Sequence, residues 1–153
     1  MSWSERLKEL GIELPGVAAP LAAYVPAVQS GKHVHTSGQL PFVDGVLAAT
    51  GKVGAEISPE EAKGHARTSA LNALAAVHAL VGIDNVARIV KVVGFVASAE
   101  GFTGQPAVVN GASELLGEVF GDAGIHARSA VGVAELPIGS PVEVEVVVEV
   151  RPE

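Results

Sequence analysis

An arginine at the head of an apolar strand is the residue of this sequence that most clearly suggests chemistry. Arg128 begins the otherwise neutral stretch Arg128–Ala134. A guanidinium in that position must find an anion or stay solvated at the rim, and its planar fork of N–H groups fits a carboxylate. Two interpretations remain open on the pattern alone. Arg128 either binds a small carboxylate ligand or forms an ion pair with a nearby glutamate.

A glutamate in the last predicted strand could act beside such an anion. Glu143 lies in the run Val142–Val150, in which every second residue is a valine on one face. The opposite face carries Glu143, Glu145, Val147 and Glu149. Solvation of that face is the simple interpretation of the alternation. Near a bound anion, the Glu143 carboxylate could instead hold a water molecule for attack.

The remaining candidates carry weaker signals. Tyr24 is the only tyrosine, and a packed role is commoner for a tyrosine than a functional one. His33 and His35 share one face of a predicted strand and could begin a metal site, but no third ligand is evident, so we predict no metal. The sequence holds neither a phosphate-binding glycine loop nor a dinucleotide fingerprint. We therefore expect no nucleotide cofactor.

Composition limits the classes of function. The 153 residues suit one domain over 1–153, and 48% hydrophobic against 18% charged residues excludes disorder. This composition is apolar for a small monomer, which favours surface shared between copies of the chain. A net charge of −7 and only six aromatic residues argue against nucleic acid as a partner. The absence of cysteine excludes disulfides, thiolate metal sites and cysteine nucleophiles.

No apolar run reaches the length of a membrane span, and the polar N-terminus does not resemble a signal peptide. These features predict a cytoplasmic protein without a membrane partner.

Periodicity and capping signals predict an α+β fold, with one sheet covered by two helices. The long helix is the clearest element, since Ser58 can cap it, Pro59 fits its first position and Glu61 completes a capping box. Its predicted buried stripe is Ala66, Ala70, Ala73, Leu74, Val77 and Leu80. The predicted helices are Ser2–Leu10, capped by Ser2 or Ser4, then Ser58 to about Leu80 or Val81, and Gln105–Phe120. The predicted strands are Tyr24–Gln29, His33–Ser37, a short one near Val46, Val86–Ala97, Ser129–Ala134 and Val142–Val150. The predicted loops are 11–23, Gly38–Thr50 and Gly121–Gly124.

Three ordered segments carry a family resemblance. In the last of them, Arg128 opens a strand, Leu136-Pro137 ends it, and Glu143 starts the final strand. The other two segments are Tyr24–Val28 with Thr36–Pro41, and Val108-Val109-Asn110. Together they resemble the signature of the Rid (YjgF) family of reactive-intermediate deaminases over about residues 20–151.

The resemblance implies a chorismate-mutase-like fold with two helices on one face of a mixed sheet. It also implies a homotrimer with a central barrel and sites in the clefts between subunits. The implied activity is the hydrolysis of 2-imino or 2-enamino acids to 2-keto acids and ammonia, without a cofactor. Members have also been described as endoribonucleases (L-PSP).

The resemblance further implies a role for each matching residue. Arg128 would clamp the substrate carboxylate, and Glu143 would aim a water molecule at the C=N carbon. The backbone of Ala130 would help to cradle the substrate, and Tyr24 would close one wall, from the same or a neighbouring subunit. Ser37 and Asn110 are the matching substrate-binding positions in the other two segments. A non-catalytic trimer that binds small carboxylates remains the alternative, followed by a ribonuclease.

The sequence also departs from the family pattern. Ala130 stands where the best-known deaminases carry a cysteine, and His126 stands where a proline is common. Val25-Pro26 replaces a more usual polar pair, and residues 1–19 are interpreted as an N-terminal extension with a short helix. These departures indicate a divergent subgroup.

Overall fold

Ten helices and strands build the fold in the computed structural model, which describes residues 1–17 and 23–153. The predicted loop 11–23 therefore lies partly outside the described residues. The helices are α1 (Trp3–Glu9), α2 (Pro59–Val81) and α3 (Gln105–Phe120). The strands are β1 (Ala27–Ser30), β2 (His33–Thr36), β3 (Phe42–Val43), β4 (Val46–Leu47), β5 (Val86–Ala97), β6 (Ala127–Val133) and β7 (Val142–Val150). Short 3-10 turns occupy Ile83–Asn85, Gly121–Gly124 and Pro137–Gly139.

Five strands form one mixed sheet in the order β1-β2-β7-β5-β6, and β3 and β4 form a separate hairpin. All neighbours in the large sheet are antiparallel except β5 and β6, which are parallel and connected through α3. The predicted α+β class with a mixed sheet is thereby confirmed. This order makes β6 an edge strand, which places Arg128 at one margin of the sheet.

The valines of β7 explain which face of the sheet is covered. Val142, Val144, Val146 and Val148 are buried, while the alternate residues of the strand are half-buried. Alanines on α2 and branched residues on α3 pack on that valine face. The sheet therefore has a helix face, which forms the core, and a second face that no helix of the described residues covers, which we call the open face.

Local signals set most of the helix ends as predicted. The Ser58 hydroxyl accepts the backbone N–H of Glu61, and Gly82 follows the last residue of α2 with a positive φ. The second arm of the predicted capping box is wrong, because the Glu61 carboxylate accepts from the Ser58 hydroxyl. At α1, Ser2 and Glu5 form the complete box.

The predicted starts of β1 and β6 and one predicted core residue are wrong, and β3 lies within the predicted loop Gly38–Thr50. Leu80 is 46% exposed because the last turn of α2, residues 78–80, lies outside the core. β1 begins at Ala27, since Pro26 has no N–H to donate to a sheet ladder. Tyr24 therefore precedes the strand. β6 begins at Ala127, so Arg128 lies within the ladder with β5.

The contact between α2 and α3 can be tested with a matched pair of glycines. A Cβ at Gly111 would collide with the backbone carbonyl oxygen of Lys63, whereas no atom lies within 4 Å of a Cβ at Gly117. Gly111→Ala should lower the free energy of unfolding by about 1–3 kcal/mol through overpacking. Gly117→Ala should leave it unchanged or raise it by up to about 1 kcal/mol, because alanine favours a helix. Urea unfolding measures both, and equal stability of the two variants would contradict the close contact.

Candidate ligand-binding site

The Arg128 side chain lies on the helix face, against the start of α3. Arg128 pairs with Val92 of β5, which is buried beneath the helices, and directly paired residues point to the same side of a sheet. Its Nη1 donates to Asn110 Oδ1 at 2.7 Å and to Ser113 Oγ at 3.3 Å. Its Nη2 donates to the Pro106 carbonyl at 3.4 Å. An amide, a hydroxyl and a carbonyl therefore hold the guanidinium.

No carboxylate neutralises this guanidinium within the described residues. The ion pairs found there are Arg6–Glu9, Lys52–Glu135, Lys63–Glu114 and Arg67–Glu118. The ion-pair interpretation of Arg128 is therefore wrong for the described chain. An arginine has five N–H donors, so Nε–H and the second Nη2–H stay available for an anion.

Two polar residues connect Arg128 to the loop before β6. His126 Nε2 lies 2.8 Å from Ser113 Oγ, and His126 Nδ1 lies 2.6 Å from the Gly124 carbonyl oxygen. Sequence reasoning left His126 without a role and did not single out Ser113. The spacing could have pointed to Ser113, because it follows Asn110 by three residues and residues three apart lie on the same side of a helix.

Ala130 follows Arg128 on the same side of β6 and pairs with Gly94 of β5. Its methyl group is partly buried against the core. Among the described residues, β6 has a strand neighbour on one side only, so half of its backbone N–H and C=O groups point away from the sheet. This margin thus offers a cation together with backbone polar groups.

Glu143 belongs to the open face. It pairs with Phe95 of β5, and its carboxylate lies against Gly38, where a Cβ would collide with Oε2. Burial, followed by the negative charge of Glu145, raises the pKa of Glu143 above its ordinary value. A carboxyl with a raised pKa gains and loses its proton nearer to neutral pH, which suits general acid–base chemistry.

Ser37 precedes Gly38, against which the Glu143 carboxylate lies, and it holds the segment that bears Tyr24. The Ser37 hydroxyl donates to the Val25 carbonyl at 2.6 Å, and its backbone N–H donates to Pro26 at 2.8 Å. These bonds hold the segment that bears Tyr24, whose side chain is 63% exposed. Since the Ser37 hydrogen is already donated, its oxygen can offer only lone pairs to a ligand.

The predicted site residues therefore form two groups that do not meet within one chain. The first group, on the helix face at β6, is Arg128, Asn110 and Ala130, and the second, around Glu143, includes Ser37 and Tyr24. Glu143 is paired with Phe95 of β5, and Phe95 is paired in turn with Val131 of β6. Val131 lies three residues after Arg128 along β6. Strand spacings put the Cα atoms of Arg128 and Glu143 roughly 14 Å apart, with their side chains on opposite faces.

His33 and His35 are exposed on the open face, where His33 pairs with Glu149. Residues 1–17 and 23–153 contain no group of three or more histidine, aspartate or glutamate side chains arranged to hold a metal ion. Within the same ranges, no helix combines the length and the apolar character needed to cross a bilayer.

Comparison with known proteins gives consistent matches over nearly the whole chain. The curated protein TCP17 of Trypanosoma cruzi is 47% identical over 147 residues, covering 95% of this chain and 92% of that protein. The crystal structure of Atu1372 from Agrobacterium tumefaciens, of unknown function, has a TM-score of 0.90 and 42% identity, covering 97% of this chain and 92% of its own. Escherichia coli TdcF with bound serine has a TM-score of 0.62 and 27% identity, covering 90% and 93%.

The family described as "YjgF/chorismate mutase-like, putative endoribonuclease" matches residues 4–150. The match spans the three segments that carry the resemblance in the sequence, together with the two long helices and every strand of the sheet. The chain belongs to the YjgF/chorismate mutase-like family.

Proposed function

We propose that this protein hydrolyses small 2-imino or 2-enamino acids to 2-keto acids and ammonia, in a site shared by two copies of the chain. The observation that carries the proposal is the Arg128 guanidinium, which neutral groups hold and no carboxylate of the described residues neutralises. Its free N–H edge suits the carboxylate of a small acid. The serine bound in the TdcF structure is a small molecule that carries such a carboxylate.

A homotrimer whose sheets enclose a central barrel would bring the two groups of residues together. In that assembly, Arg128 of one subunit would face Glu143, Ser37 and Tyr24 of the next. The exposed outer edge of β6 supports the proposal, as do Val28 and Val131, which leave apolar surface on the open face at 56% and 41% exposure. Glu143 supports it too, since its side chain points away from the face of the sheet on which α3 holds Arg128.

The residues fit the chemistry of imine hydrolysis. Two parallel bonds from Arg128 would fix the substrate carboxylate and thus the adjacent C=N carbon. Asn110, whose Oδ1 is held by Arg128, would present its NH₂ group to the ligand. The Ser37 oxygen would accept an N–H of the imine, the Ala130 backbone would help to cradle the substrate, and Tyr24 would close the cleft.

Glu143 would act as the general base and then as the general acid. The substrate reacts as its iminium ion, C=NH₂⁺, and Glu143 accepts a proton from water as the oxygen adds to the C=N carbon and the C=N electron pair moves to nitrogen. Glu143 then returns this proton to the amino group of the neutral carbinolamine. The C–N bond breaks as the hydroxyl oxygen forms the C=O bond of the 2-keto acid, and the hydroxyl proton leaves with ammonia as ammonium. The raised pKa of Glu143 supports both the gain and the loss of this proton. No cofactor enters this sequence of steps.

A trimer that only binds small carboxylates is the second candidate, because the Arg128 group is complete without Glu143. Hydrolysis by the wild-type protein separates the two functions. An amino-acid oxidase supplies the imino acid, and the release of keto acid is followed with and without this protein.

RNA is a poorer fit, since the chain has a net charge of −7 and only six aromatic residues.

The carboxylate clamp predicts the effect of replacing Arg128. Arg128→Ala should abolish the binding of pyruvate measured by titration calorimetry, while circular dichroism shows a retained fold. Arg128→Lys should recover little, because an ammonium cannot form two parallel bonds. Arg67→Ala is the control and should bind like wild type, since Arg67 pairs with Glu118 at the protein surface. Unchanged pyruvate binding by Arg128→Ala would refute the clamp.

The role of Glu143 predicts opposite changes in activity and stability. Glu143→Gln should reduce kcat by roughly 10²–10⁴-fold, as for a lost acid–base group. Its raised pKa means that the folded state binds this proton more tightly than the unfolded chain does. In the wild type, this contribution to stability is therefore present at low pH and is lost as the pH rises through the folded-state pKa. Glu143→Gln should accordingly raise Tm at neutral pH and remove that part of the pH dependence.

Glu145→Gln is the matched control for this prediction. It removes the negative charge that helps to raise the pKa of Glu143, so the acid limb of kcat should move to lower pH while turnover at its maximum is retained. Full hydrolysis by Glu143→Gln would contradict the assignment. A Tm that is lower in Glu143→Gln than in wild type would contradict the electrostatic account.

A further inference from the structure

When the imidazole of His126 is neutral, its hydrogen bonds have only one consistent direction. Nδ1 lies 2.6 Å from the carbonyl oxygen of Gly124, and a carbonyl can only accept, so Nδ1 carries the proton. In the neutral imidazole, Nε2 is then an acceptor. Ser113 Oγ, at 2.8 Å from Nε2, must donate its hydrogen there. Its lone pairs are thus left for Arg128 Nη1 at 3.3 Å.

The Gly124 carbonyl, at which this chain of hydrogen bonds begins, is itself held in place. Gly124 is buried against α3 so closely that a Cβ would collide with the backbone carbonyl of Leu116. The carbonyl that orients His126 is therefore held by the helix that carries Ser113. His126 and Ser113 are both half-buried, and the hydrogen bonds described above hold both side chains in place. The fold thereby fixes the direction of each bond up to the guanidinium.

We infer that His126 and Ser113 are positioning residues for the carboxylate clamp of Arg128, an inference that rests on the proposed function. Asn110 and Ser113 together take both hydrogens of Nη1, which sets the rotation of the guanidinium plane. The edge formed by Nε–H and the second Nη2–H is then turned to the ligand. Neither His126 nor Ser113 needs to touch the substrate to have this effect.

Substitutions at Ser113 test the inference through carboxylate affinity. At pH 8, where histidine is ordinarily neutral, Ser113→Ala should weaken pyruvate binding about 3- to 10-fold, the effect of one lost hydrogen bond. Ser113→Thr keeps the hydroxyl and should restore most of the affinity. Ser69→Ala is the matched control, because the Ser69 hydroxyl on α2 is buried without a partner among the described residues.

Two further measurements distinguish positioning from a general loss of structure. His126→Leu should weaken binding as much as Ser113→Ala does, and the double variant should be no weaker than either, since both act through one chain of bonds. His126→Gln offers an amide oxygen to Ser113 and should bind more tightly than His126→Leu. In long-range ¹H–¹⁵N spectra of the ligand-free protein, His126 should appear as the Nδ1–H tautomer.

The outcomes separate this inference from the proposed function. Pyruvate binding that depends on Arg128 but is unchanged in Ser113→Ala would overturn the positioning role alone. An Nε2–H tautomer for His126 would do the same. Absence of pyruvate binding by the wild-type protein, or binding that Arg128→Ala leaves intact, would overturn both.

Discussion

A positive charge held by neutral partners is the interaction on which the site depends. The Arg128 guanidinium is half-buried and contacts an amide, a hydroxyl and a carbonyl, all of which fix its plane without cancelling its charge. A glutamate in the same position would satisfy the arginine and close the site. α3 supplies all three partners, so the packing of this helix on the sheet determines how the cation is presented. The close contacts of Gly111 with α2 and of Gly124 with α3 help to hold α3 and the loop before β6 in this arrangement.

The pleat of the sheet imposes the second constraint. Paired residues share a face, so Arg128, in register with Val92, points towards the helices, and Glu143, in register with Phe95, points away from them. A molecule the size of an amino acid cannot reach both side chains across the strand between them. A site that uses both must therefore join different copies of the chain. The apolar surface on the open face and the free edge of β6 agree with this requirement.

Much of the fold follows from local signals in the sequence. Ser58, Pro59 and Gly82 mark the ends of α2, and the alternation in β7 separates the buried valines from the glutamates. Leu80 is exposed because the last turn of α2 extends past the sheet, and β1 starts late because Pro26 has no N–H to donate. Hydrophobic periodicity reports neither of these features.

The sequence predicted less of the site than of the fold. Residue type and family resemblance identified the individual site residues, which are Arg128, Asn110, Glu143, Tyr24, Ser37 and Ala130. Their division between two faces depends on the register of three strands, including irregular pairing of β5 with β7, and could not be inferred from spacing. The hydrogen bonds of Ser113 and His126 arise only when α3 folds over the loop before β6.

Mixed assemblies test the central claim, that a site uses Arg128 of one subunit and Glu143 of another. Arg128→Ala and Glu143→Gln chains with different affinity tags are co-expressed, and assemblies that carry both tags are purified. Light scattering should give about three times the 15.5 kDa of one chain. Every mixed trimer then contains one intact site, so imine hydrolysis should recover to roughly one third of the wild-type rate per trimer, since each subunit meets the next in a ring. Mixed assemblies as inactive as the two parent variants would contradict the account.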